Sequence, residues 1–405
     1  MHALLDSLKH FFPIDLHPHI MLVGGCLRDL LRGLPCKDID LVCTLTPEDL
    51  TRLGFRAVRG KTTIPIWQRT VAGTGTLEAT LIADRSDIVE DLTRRDFTVH
   101  AMAMDLDGNL IDPLGGYSDL LRLEIRSCSP ESFKNDPLRI FRALRLEADG
   151  WIMEKETAGL LTGQDWSAEL EALPVERFSR EMLKALAARH PDRFFSGMLK
   201  YRVGRCFLPE LFRWPEIPAG PVRHHPEGDL FSHAIQVVQR VASATPDPLT
   251  RLCAFFHDIG KQATTKECYP SHHGHDRAGE ITAQAFCRNL RLPAAYGTSL
   301  AAVCALHTTY NNWGELRPST RLKLAERAVS AGVAGILPLV SAADKPDNPQ
   351  PDQWPHIVEI ASLSATTLGI PAERLLKLAP LQRREAVRLA RLSLVKSVLS
   401  QTESH

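Results

Sequence analysis

No C-x-x-C pair occurs among the nine cysteines of this 405-residue sequence. That spacing serves zinc ribbons, and scattered cysteines do not suggest a disulfide framework either. Reduced thiols and a cytoplasmic location are therefore expected. Long apolar runs are also missing: none approaches the roughly 18 residues a membrane span needs. The first residues, MHALLDSLKHFFPIDLHPH, mix charge and histidine through the apolar positions, which is not a signal-peptide pattern. Net charge is absent too. Lys and Arg total 48, as do Asp and Glu, so a polyanion site must be a local cluster. There is no internal repeat and no low-complexity tract. What remains is an ordinary globular composition, 44% hydrophobic and 24% charged. The length allows roughly two to four domains.

Short apolar runs bounded by turn residues predict strands over 20–24, 38–43, 65–72, 75–83 and 122–128, with a helix over Cys26–Leu34. Residues 130–210 carry apolar side chains at three- and four-residue spacing and read as helices. PEIPAGPVRHHPEGD (215–229) reads as a linker or boundary loop. Residues 230–350 are helical and rich in histidine, and 355–400 are helical and basic.

The stretch MLVGGCLRDLLRGLPCKDIDLVC (21–43) carries chemistry. On a strand, residues two apart share a face, so Asp38 and Asp40 project together with Ile39 on the buried side. Paired carboxylates repel unless a cation lies between them, and Mg²⁺ suits one or two carboxylates plus phosphate oxygens. Glu78, in GTLEATLIA, is a third carboxylate on a face shared with Thr76 and Thr80. D-x-D is also common on solvated strand ends. Gly24, Gly25 and Arg28 just upstream, at a helix start able to hold phosphate, favour the functional reading.

These residues resemble the signature of the class II tRNA nucleotidyltransferase and poly(A) polymerase family. EDLTRRDFTVHAMAMD, NDPLRIFRALRLEA and VERFSREM resemble that family's next motifs, in order. SHAIQVV, CAFFHDIGK and HHGHDRAG look like the HD-domain tail of its bacterial multifunctional members. The resemblance implies an α+β protein: a head with a mixed sheet (1–128), a helical neck (129–215), an HD phosphohydrolase domain (225–350) and a basic helical tail (351–405). It also implies tRNA, CTP and ATP as partners, a monomer or homodimer, and Mg²⁺ on Asp38 and Asp40, less firmly with Glu78.

Residue by residue, Gly25 and Arg28 are implied to contact the triphosphate, Arg95 the nucleotide, and Asp96 the ribose hydroxyl. His100 stands where Asn is usual. Arg139, Arg142 and Arg145 fan across one side of a helix, which suits a triphosphate and equally a solvated basic face. The resemblance puts Arg142 and Arg145 on the nucleotide, with Asp136 holding the pocket. Glu176, Arg177 and Arg180 are implied to read the incoming base, although the commoner form has Asp at position 177; a helix-surface ion pair is the plain alternative.

His233, His257, Asp258 and Asp344 match the ligand spacing of HD phosphohydrolases, which bind transition metals such as Mn²⁺, Co²⁺ or Ni²⁺. His272, His273, His275 and His307 are candidates for widening that site toward a second metal. A degenerate HD fold that only braces tRNA is the alternative. The basic tail, with Arg383, Arg384, Arg388 and Arg391, suits tRNA phosphates or an amphipathic packing helix. Rival readings of the whole chain are a poly(A) polymerase and a non-catalytic RNA-binding protein. Finally, relatives that add CCA carry a flexible loop between the carboxylate strand and the R-R-D segment, and lineages adding only CC have lost it. Here only Ser86 to Val89 lie between Arg85 and Glu90, which predicts CC addition unless TVAGTGT (70–76) does the loop's work.

Overall fold

A computed structural model describes residues 2–36, 38–58 and 65–402 and divides the chain into two compact units, Met1–Leu170 and Glu171–His405. The first is built on a seven-stranded mixed sheet. Its strands are β1 (Ile20–Val23), β2 (Asp38–Cys43), β3 (Arg56–Val58), β4 (Ile66–Val71), β5 (Gly75–Leu81), β6 (Ala103–Asp105) and β7 (Leu110–Ile111). They lie in the order β3-β4-β5-β2-β1-β6-β7. β2 and β5 run parallel and the other neighbours antiparallel.

β1 is buried along its whole length, as a central strand covered on both faces should be. β2 alternates at its start: Ile39 and Leu41 are buried while Asp38 is exposed and Asp40 half-buried. Further along, Val42 joins Met21, Val23, Ala101 and Ala103 under Ile88 and Leu92 of the helix Ile88–Thr93. That helix covers one end of the sheet face and leaves the carboxylate end open.

The four expected strands at the front of the chain are found within two residues. The fifth, 122–128, shrinks to Glu124–Ile125, which pairs with Ile152–Met153 in a separate ladder. β3, β6 and β7 are too short to show a period. The helix expected over Cys26–Leu34 begins earlier, as Gly24–Leu31. The four residues Ser86–Val89 belong to a 3₁₀ turn (Arg85–Asp87) and the start of the helix Ile88–Thr93, and a tight turn at 72–74 joins β4 to β5. Residues 59–64, between β3 and β4, lie outside the described residues.

The second unit is helical. Its principal helices are Val175–Ala187, Leu230–Ala244, Pro248–Phe256, His275–Asn289, Ala294–Asn311, Ile336–Asp344 and Pro380–Thr402. Phe178, Phe194, Phe195, Trp214, Phe255 and Phe256 are buried in it, with Phe195 stacked on Phe255 at 3.9 Å between ring centroids. Residues 215–229 form a turn-rich loop inside this unit, held by a bridge between Pro218 and Asp229. Part of the basic tail is spent on packing, since Arg391 bonds Glu326 and the Leu363 carbonyl, while Arg388 forms an exposed pair with Glu385 on its own helix. Among the described residues no helix is long and apolar enough to cross a membrane.

Candidate active site

In the first unit the parallel register sets Asp38 opposite Thr76 and Asp40 opposite Glu78. Cross-strand partners share a face, so Asp38, Asp40 and Glu78 project from one face at this end of the sheet. Glu78 accepts a 2.7 Å hydrogen bond from Gln68 Nε2 on β4. Burial, with Glu78 and Asp38 adding negative charge, pushes Asp40 up to about 6 against the pull of Arg95 and Arg142. Anions crowded in this way fit a divalent cation: the donors are oxygens and they lie at the mouth of a helix start, where phosphate is welcome.

The glycine turn is asymmetric. Gly24 has φ +71°, and a Cβ there would lie 2.9 Å from Asp40 Oδ2 and 3.2 Å from Arg95 Nη1. Among the described residues, a Cβ on Gly25 would meet nothing within 4 Å. The close approach of backbone to the carboxylates therefore belongs to Gly24, while position 25 keeps open space beside the helix start. Among the described residues no side chain caps that start.

Arg28 leaves the same helix. Its Nε donates to Asp29 Oδ1 at 2.8 Å, and its Nη1 lies 2.6 Å from His100 Nε2. His100 Nδ1 is 2.9 Å from Asp96 Oδ1. Asp96 also accepts from the Phe97 amide and, through Oδ2, from Arg142 Nε at 2.6 Å. Burial would raise the Asp96 carboxyl, but His100 and Arg142 hold it well below the usual range. Asp96 is thus a buried hub joining the R-R-D segment to the helix Leu138–Ala148.

The three arginines of that helix differ. Arg142 grips Asp96. Arg139 donates to the backbone carbonyls of Arg94 and Arg95 and to Ser132 Oγ, so it braces the R-R-D turn. Arg145 lies 3.7 Å from Asp149. Asp136 accepts from the Leu138 amide at the helix start. Arg95 forms a two-nitrogen contact with Asp91 and, with Arg94 and Arg139, lines a cavity of about 750 Å³ beside β5. Cys26 of the glycine helix and Cys36, two residues before Asp38, are joined in a disulfide; the other seven cysteines are free. The expectation of thiols reduced throughout is corrected at this one pair, whose spacing of ten residues carries no motif.

In the second unit, Glu176, Arg177 and Arg180 are exposed at the start of Val175–Ala187, whose opposite face buries Phe178 and Met182. Farther along the chain, the helices Leu230–Ala244 and Ile336–Asp344 and the residues after Phe256 bring His233, His257, Asp258 and Asp344 together. His233 Nε2 lies 3.4 Å from His257 Nε2 and 3.3 Å from Asp344 Oδ1, and His257 Nε2 lies 3.3 Å from Asp258 Oδ2. The other oxygen, Asp258 Oδ1, is 3.4 Å from both His275 Nε2 and His307 Nε2. It is buried and accepts no regular hydrogen bond from the described residues. A buried carboxylate with one oxygen aimed at each of two imidazole groups suits cations better than hydrogen-bonded solvent.

Of the four additional histidines, His275 and His307 reach this site. His272 is spent on Thr264 and the Pro218 carbonyl, and His273 is exposed. Two groups were not foreseen. Glu227 Oε1 lies 2.6 Å from His233 Nδ1 and 3.0 Å from His225 Nδ1, which orients His233 with Nε2 toward the cluster. Lys261, in the HDIGK stretch, sits 2.6 Å from Asp258 Oδ2 and lines a cavity of about 190 Å³ over the cluster. The HDIGK string could have signalled Lys261; nothing in the sequence singles out Glu227.

Two family models match the chain: the poly A polymerase head domain over residues 68–126, and the probable RNA and SrmB-binding site of polymerase A over 153–214. The multifunctional CCA protein of Pasteurella multocida is 35% identical over 332 residues, covering 76% of this chain and 78% of that one. Its counterpart in Nitrosococcus oceani is 36% identical over 324 residues, covering 76% and 79%. Among solved structures, the Bacillus stearothermophilus CCA-adding enzyme in complex with CTP superposes with a TM-score of 0.63 at 20% identity, covering 98% of this chain and 92% of that one. The Thermotoga maritima CCA-adding enzyme complexed with tRNA gives 0.63 at 19% identity, with coverage of 99% and 95%. At such identity the likeness is one of fold.

Proposed function

The chain belongs to the family of the multifunctional CCA proteins, and from that premise we propose that it is a template-independent tRNA 3′-end nucleotidyltransferase using CTP, and ATP where it completes CCA. The observation that carries this is the juxtaposition of Asp38, Asp40 and Glu78 with the Gly24 turn and Arg95. The terminal ribose 3′-oxygen bonds to the α-phosphorus of the incoming nucleotide, the bond to the pyrophosphate oxygen breaks, and the hydroxyl proton is lost.

Asp38, Asp40 and Glu78 would hold magnesium, whose charge, when bound, offsets that of the attacking and leaving oxygens. Gly24 and Gly25 let the triphosphate approach backbone N–H groups, and Arg28 and Arg95 supply cationic donors to it. Asp96 holds Arg142 and the R-R-D turn in place and sets the ribose side of the pocket, while Arg139 and Asp136 brace the segment that carries Arg142 and Arg145. Glu176, Arg177 and Arg180 present an acceptor and donors to the base edge. The reading divides the chain into a head (1–128), a neck (129–215), an HD domain (225–350) and a tail (351–405). The test is to offer a tRNA lacking its last three nucleotides, with CTP and ATP, and to sequence the 3′ ends; no extension would overturn the assignment.

A second activity rests on the paired oxygens of Asp258. His233, His257, Asp258 and Asp344, widened by His275 and His307, would hold Mn²⁺, Co²⁺ or Ni²⁺, which supplies an activated water for phosphate ester hydrolysis when bound. Lys261 is placed to meet the phosphate. Hydrolysis of phosphate monoesters or 2′,3′-cyclic phosphates with these metals tests it.

A further inference from the structure

We infer that His100 is a positioning residue for nucleotide binding: a neutral imidazole that locks Arg28 of the glycine helix to the Asp96–Arg142 hub. The inference rests on the nucleotidyltransferase reading and concerns a group that reading leaves without a role.

The residue is 4% exposed and joins Arg28, 72 positions earlier in sequence, to Asp96. Its two partners dictate its protonation. A guanidinium only donates, so Nε2, 2.6 Å from Arg28 Nη1, must accept. An ionised carboxylate only accepts, so Nδ1, 2.9 Å from Asp96 Oδ1, must donate. Only the neutral ring protonated at Nδ1 satisfies both. A second proton, on Nε2, would face Arg28 and break the link. Arg28 and Arg142 are the cations near the ring and Asp96 the anion, and burial, outweighing Asp96, holds His100 down at about 4.

The consequence is for Arg28. Asp29 takes its Nε and Nη2, and His100 takes Nη1. The guanidinium plane is thereby fixed, and each terminal nitrogen still carries one further N–H. A planar donor fixed in this way loses less side-chain entropy when it meets a phosphate. The same imidazole ties Arg28 to the buried carboxylate that Arg142 grips, so the triphosphate arginine and the helix Leu138–Ala148 are set against each other by one ring.

The test combines kinetics with spectroscopy. His100→Leu removes both bonds while filling space. It should raise KM for CTP by roughly 10- to 100-fold, the range for losing hydrogen bonds to charged groups, with KM for tRNA nearly unchanged. His100→Gln, which offers one donor and one acceptor, should recover part of that loss. In the wild-type protein, ¹⁵N NMR at pH 7 should show Nδ1 protonated and Nε2 bare. A Leu variant with wild-type KM, a Gln variant no better than Leu, or a ring protonated at Nε2 overturns the inference. A wild-type protein that adds no nucleotide defeats the functional reading alone; the imidazole spectrum then still decides whether the Arg28–His100–Asp96 link exists.

Discussion

Asp40 and Glu78 face each other across the parallel ladder of the head sheet, 38 positions apart in sequence and adjacent in space. Burial raises the cost of ionising Asp40, and the negative charge of Glu78 adds to it. Such a pair is stable chiefly when a cation shares it, which makes it the point of greatest leverage in the protein.

Asp38→Asn and Asp40→Asn should each reduce nucleotide addition by orders of magnitude while tRNA affinity stays within a few-fold, because only charge at the cation site is lost. Glu78→Gln should lie between these and wild type. Single-turnover extension assays and filter binding measure the two quantities. Near-normal turnover in both Asn variants would falsify the placement of the active site.

Gly24 and Gly25 should respond differently to alanine. At Gly24 the left-handed φ and a Cβ 2.9 Å from Asp40 Oδ2 combine, so Gly24→Ala should cost on the order of 1–3 kcal/mol of stability and most of the activity. Gly25→Ala meets none of the described residues and should leave the urea midpoint unchanged or slightly raised. Equal midpoints for the two variants would contradict the geometry.

Acid should weaken the head through His100 and Asp96. Both have folded-state pKa values below their unfolded ones, so the unfolded chain binds more protons over the acid range. Stability is complete above about pH 6.5 and falls as pH drops toward 4, by up to roughly 3 kcal/mol from His100, then further as Asp96 titrates. His100→Asn should flatten the upper part of that fall. Urea titrations at pH 7 and pH 5 check it.

His257→Ala and Asp258→Ala should abolish metal-dependent phosphohydrolysis and leave nucleotide addition intact. Glu227→Gln, which weakens the orientation of His233, should lower metal affinity roughly 10- to 100-fold. Elemental analysis and calorimetric metal titration read this directly. No bound metal and no hydrolysis with Mn²⁺, Co²⁺ or Ni²⁺ leave only a bracing role.

The short path from β5 to the R-R-D segment is a 3₁₀ turn running into a helix. Regular structure of this kind has no length to swing across a nucleotide pocket. With CTP and ATP together, the expected product is tRNA ending in CC, and a longer loop grafted after Arg85 should restore adenosine addition. Efficient completion to CCA by the unaltered protein would sink this expectation.

Local order decided what the sequence alone could determine. A period of two placed Asp38 and Asp40 on one face, paired glycines marked the turn into a helix, and adjacent His257 and Asp258 marked a candidate metal site, because each depends on neighbours within a few residues. The tertiary structure decided the rest. Glu78 reaches Asp40 through strand register, set by closing a chain segment that includes β3 and β4. Arg139, Arg142 and Arg145 look alike in sequence, yet one braces a backbone turn, one grips Asp96 and one lies by Asp149, since a long side chain takes whichever partner the packed fold brings within reach. Glu227 carries no motif, and His100 departs from its motif, standing where Asn is usual. Their contacts follow from how the backbone folds: His100 meets Arg28 from 72 residues away, and the loop at 215–229 turns Glu227 onto His225 and His233.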